Sequence, residues 1–79
     1  MKKEYLKPLC ERRATVIFEH ALRAFNFPRT EERIEEMREH CEKQICSYNR
    51  QEQEIMRETL DRLFRDYKSE IQFYVMVYH

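Results

Sequence analysis

The chain has 79 residues, 42% of them hydrophobic and 38% charged, with fifteen basic and fifteen acidic side chains. That makes one small domain, too apolar and too evenly charged for a disordered tail. Its longest unbroken apolar run, Phe73 to Tyr78, falls far short of the roughly 20 residues that a membrane span needs. Lys2 and Lys3 have no apolar stretch behind them, so no secretory signal is expected. Lys2 also stands where myristoylation would require glycine. A cytoplasmic location is the expectation.

There is no glycine. Glycine supplies positive φ and lets a phosphate approach the main chain closely, so a P-loop, a dinucleotide fingerprint and a nucleophile elbow are excluded. Tight hairpin turns would have to rely on Asn26 and Asn49, and neither has strand-like alternation on both sides. The fold is helical by elimination.

From the N-terminus, Pro8 suits the first turn of a helix, where its missing N–H costs nothing. Cys10, Ala14, Ile17 with Phe18, Ala21 and Phe25 then recur at helical spacing, with Val16 and Leu22 widening the face. Asn26-Phe27-Pro28 should stop this helix, because a proline forces the residue before it out of the α region. The first helix is therefore placed near 8–26. Thr30 is the expected N-cap of a second helix near 30–48, and Glu31, Glu32 and Glu35 suit the positive end of its dipole. Ile34, Met37, Cys41, Ile45 and Tyr48 form its apolar stripe.

Asn49 followed by Glu52 reads as a capping box opening a third helix near 50–77. Its stripe is Met56, Leu60, Leu63, Tyr67, Ile71, Tyr74 and Tyr78, a heptad-like run. Leu60, Leu63 and Ile17 are expected in the core. Exposed i,i+4 pairs are expected between Glu39 and Lys43, Glu58 and Arg62, and Asp61 and Arg65. The architecture is thus an all-α small antiparallel bundle of three helices. The alternative is one helix plus a single long helix from Thr30 onward, dimeric, whose stripe would turn by about 80° between Tyr48 and Met56.

Chemistry is sparse. Cys10, Cys41 and Cys46 are an odd number, which suits free thiols in a reducing compartment. His40, Cys41 and Cys46, with Cys10 or His20, could be drawn as a zinc site. However, Cys41 and Cys46 stand about 140° apart around a helix and cannot chelate together unless it breaks. Neither serine, Ser47 or Ser69, has a histidine and carboxylate in a familiar local pattern. Glu32, Glu36 and His40 share a face, but the Glu-x-x-His spacing of a di-iron bundle is absent. The expectation is no enzyme, no metal and no cofactor.

Two surfaces stand out. Residues 1–13 carry five basic and two acidic groups, a local balance of +3, and Lys2, Lys3, Lys7, Arg12 and Arg13 would serve a small nucleic-acid-binding regulator. The other is Ile71 to Tyr78, where seven of eight residues are apolar or aromatic. One helix face cannot bury all of them. A capping role for Phe73, Val75 and Met76 against Leu6 and Leu9 is one outcome, and a short strand pairing across a dimer is another. The leading expectation is a protein–protein interaction module (adaptor, inhibitor or regulatory subunit), self-associating through Ile71, Phe73, Tyr74, Val75, Met76, Val77 and Tyr78. Nucleic-acid binding through the N-terminus is the alternative.

Overall fold

The computed structural model describes the backbone of residues 3–78 and the side chains of residues 5–72. Three helices follow one another: α1 (Lys3–Ala24), α2 (Glu31–Ile45) and α3 (Arg50–Tyr78). The single long helix considered from the sequence is broken at Cys46–Asn49, and the three-helix bundle forms.

Local chemistry sets the helix limits. Thr30 caps α2, its Oγ1 accepting from the Arg33 N–H at 3.2 Å. Asn49 and Glu52 form the reciprocal capping box: Glu52 N–H donates to Asn49 Oδ1 at 2.9 Å, and Asn49 N–H donates to Glu52 Oε1 at 3.1 Å. Gln53 closes the α2–α3 turn from the other side, donating from Nε2 to the carbonyls of Tyr48 (2.6 Å) and Cys46 (3.3 Å). The Cys46 carbonyl, at the C-cap of α2, would otherwise be left over there.

α1 ends in a Schellman motif assembled without glycine. Phe27 N–H donates to the Leu22 carbonyl at 2.8 Å and Asn26 N–H to the Arg23 carbonyl at 3.1 Å. Asn26 takes the left-handed conformation at φ 55°, as asparagine tolerates, and Phe27 follows at φ 52°. The proline effect read at Phe27 is thus realised as a positive φ. The start of α1 differs from expectation, since the helix begins at Lys3 and Pro8 lies within it. Pro8 is exposed, and without an N–H it costs α1 one i→i−4 bond.

The core comprises Cys10, Ala14, Phe18 and Ala21 from α1, Ile34, Met37, Cys41 and Ile45 from α2, and Met56, Leu60 and Phe64 from α3. Three of the four α1 positions are small, which lets its backbone approach α3 more closely than either other helix pair. Two expectations need correction. Ile17 and Leu63 are only half-buried, whereas Phe64 is 1% exposed. Phe64 is buried because two helices cover it. Phe18 of α1 meets it edge-to-face at 5.0 Å, and the Arg38 guanidinium of α2 lies 5.6 Å from its ring centre.

Contacts along the bundle fix helix direction. Arg13 meets Glu52 at 3.4 Å, Phe18 meets Phe64, and Pro28 meets Tyr67 at 2.7 Å, so α1 and α3 run parallel. α2 is antiparallel to α3, joined by Glu35–Lys68 (3.3 Å), Arg38–Asp61 and Glu42–Arg57 (3.0 Å). Asp61 therefore pairs across helices with Arg38, in place of the i,i+4 pairing with Arg65 read from the sequence. Among the described residues the Glu39–Lys43 and Glu58–Arg62 pairs do not form either; the one intrahelical ion pair is Arg33–Glu36 at 2.6 Å. The molecule measures 49 × 21 × 16 Å, a length set mainly by α3, whose 29 residues span about 43 Å.

Candidate functional site

α3 outruns its neighbours. Lys68 is level with Glu35, so Glu31, where α2 begins, is level with Gln72. Ile71 is the last described residue of α3 that joins the core, and the helix continues seven residues beyond it, about 10 Å. Those two turns carry Phe73, Tyr74, Val75, Met76, Val77 and Tyr78. Their side chains lie outside the described residues, but their backbone is helical, so the short strand considered for this segment does not form.

The parallel course of α1 and α3 also decides between two readings of the segment. Leu6 and Leu9 sit near the N-terminus of α1, at the Glu52 end of α3. The last turns of α3 are at the opposite end of the molecule. Leu6 and Leu9 therefore cannot cover Phe73, Val75 and Met76, which corrects that expectation.

Beside the base of the extension stands the α1–α2 turn. The Tyr67 hydroxyl donates to the Pro28 carbonyl at 2.7 Å and ties the turn to α3. Burial raises the Tyr67 pKa above its ordinary value; Arg29 opposes this and Glu70 adds to it. Phe25, Asn26, Phe27, Pro28, Arg29 and Arg33 line an open depression here. Phe25 is held from two sides, with the Arg33 guanidinium 5.0 Å from its ring centre and the His40 ring at 5.6 Å. Phe27 has no such cover and is 54% exposed. In the sequence Phe27 is legible only as part of a helix stop. The signal available was the Asn-Phe-Pro order, which turns the chain sharply and leaves the aromatic ring at the corner.

The basic N-terminal residues are not gathered into one patch. Lys7 and Arg12 are exposed, five residues apart on α1, about 140° around its axis. Arg13 is drawn inward, paired with Glu52 and lying 5.5 Å from the Tyr48 ring centre. Lys2 and the side chain of Lys3 lie outside the described residues.

The thiols divide by burial. Cys10 and Cys41 are buried and Cys46 is exposed, all three free. Burial pushes Cys41 up to about 11, with Glu42 adding and Arg38 opposing. Cys10 is raised by burial first, then by Glu52, against Arg13. Among the described residues no three His, Cys, Asp or Glu side chains converge as a metal site would require, and no helix is long and apolar enough to cross a membrane. No family model matches the chain, and neither curated proteins nor solved structures include a match to it.

Proposed function

We propose that this protein is a protein–protein interaction module that works through the C-terminal turns of α3, with self-association as its first contact. One observation carries the reading: α3 runs seven residues past Ile71 with a sequence that is apolar or aromatic at six of them. Apolar area of that extent is costly in water, at roughly 25 cal/mol per Å², and aromatic residues with methionine are what interface cores favour. The nucleic-acid alternative has less support, because Arg13 is engaged within the bundle and Lys7 and Arg12 diverge.

Sedimentation equilibrium of the full chain across a wide concentration range, with and without nucleic acid, tests the reading. The expected result is reversible association independent of nucleic acid. Phe73→Glu with Val77→Glu should shift the protein to monomer while its helical circular dichroism persists. A parent that is monomeric throughout, with a doubly charged variant that unfolds, would mean the segment is part of the fold itself.

A further inference from the structure

From the shape of this end of the molecule we infer that the partner of the α3 extension is a second copy of the chain, docked antiparallel. In this arrangement the last turn of each α3 lies against the Phe27 corner of the other copy. The inference rests on the reading of α3 as an interface and specifies the occupant and the register.

A specific interface needs to remove at least about 1,000 Å² from solvent, counted over both partners. Two helical turns about 10 Å long and 10–12 Å across offer on the order of 300 Å² per copy on one face. Two such faces pressed together fall well short. The missing area has to come from exposed apolar surface at the same end, and the structure has it at Phe27, beside the Pro28–Tyr67 link. A phenylalanine buries roughly 150–250 Å² when fully covered. Half-exposed Phe27 adds on the order of 100 Å² per copy, and the rest of the open depression beside it, lined also by Phe25, Asn26 and Arg29, brings the total toward the required size.

Residues 71–78 contain no charged side chain. In a two-fold contact the two extensions lie beside each other, and a segment without charge is buried there with no unpaired ion to desolvate. Direction follows from the levels already established. The Phe27 corner is level with Tyr67, at the base of the extension. Only antiparallel pairing carries the tip of one extension to the base of the other. Parallel pairing would place tip against tip and set the Phe27 corner at the level of Asp66, Lys68 and Glu70, away from the apolar tip.

The conformation of Phe27 supplies a clean probe. At φ 52° phenylalanine is held where asparagine is better tolerated, so Phe27→Asn removes the ring without asking the backbone to change. The experiment uses the full chain with Cys46→Ser to remove the exposed thiol. Phe27→Asn should raise the dimer dissociation constant at least tenfold with unchanged helicity. Phe27→Cys combined with Val77→Cys should give a disulfide-linked dimer under mild oxidation by glutathione disulfide. Within one chain these positions are separated by about 15 Å of α3, beyond the roughly 7 Å that a disulfide spans. If the parent never dimerises, the interface reading falls and this inference with it. If the parent dimerises but Phe27→Asn does so equally and the paired cysteines fail to cross-link, the interface stands and the antiparallel register is overturned.

Discussion

The Tyr67 hydroxyl reaches across 39 residues of sequence to the Pro28 carbonyl at 2.7 Å. This bond ties the turn that holds two left-handed residues, Asn26 and Phe27, to the helix that extends beyond it. Pro28 is buried, so removing the donor leaves its carbonyl without that partner. Tyr67→Phe should therefore cost about 1–3 kcal/mol, read as a lower midpoint in urea.

The same residue gives a pH signature. The folded-state pKa of Tyr67 lies above its unfolded value of 10.0, so its contribution to stability is complete below pH 10 and declines as pH rises further. Cys41, raised from 9.0 to about 11, behaves likewise, its contribution declining between pH 9 and 11. Urea titrations should show stability falling from pH 9 upward, and Cys41→Ala should reduce the earlier part of that fall, leaving the share of Cys10, whose thiol is raised by burial as well. A profile that rises across this interval would contradict the burial of both groups.

Thiol reactivity should follow exposure. A chromogenic disulfide reagent at neutral pH should titrate one cysteine of three in the native protein, Cys46, with Cys10 and Cys41 reacting only in denaturant. Cys46→Ser should abolish the fast phase. Melting temperatures with and without reductant should agree, since the three thiols are free.

Packing energies should rank by cover. Phe64→Ala removes a ring enclosed by Phe18 and Arg38 and should cost about 3–5 kcal/mol. That is comparable to the whole stability of a domain this small, so the variant should be largely unfolded. Half-buried Leu63→Ala should cost about 1–2 kcal/mol, at or below the lower edge of the usual leucine range. Glu35→Ala, which removes only an exposed pair with Lys68, should change stability by less than about 0.5 kcal/mol. Denaturation midpoints of the three variants check the order.

The charged contacts between α2 and α3 orient more than they stabilise. Glu35–Lys68, Arg38–Asp61 and Glu42–Arg57 are each partly exposed, so each should be worth about 0.2–1 kcal/mol. A double-mutant cycle on Glu42 and Arg57 should return a coupling in that range, shrinking as salt is raised.

What the sequence determined by itself was local. Thr30, the Asn49–Glu52 box and the Asn-Phe-Pro stop act within one turn of where they stand. The helix boundaries they imply agree with the structure at the start of α2 and α3. Periodicity likewise identified most of the core, because the 3.6-residue repeat is a property of the helix alone. Three things depended on tertiary structure. Leu63 and Phe64 both lie near the apolar stripe, and only Phe18 and Arg38, arriving from other helices, decide that Phe64 is enclosed. Asp61 has Arg65 one turn away, yet binds Arg38, because antiparallel packing brings that guanidinium to it. Finally, whether the apolar end of α3 meets Leu6 and Leu9 depends on the direction in which α1 passes α3. No spacing along one helix encodes that direction; it follows from two turns reversing the chain twice, which returns α3 parallel to α1 and carries its last turns away from them.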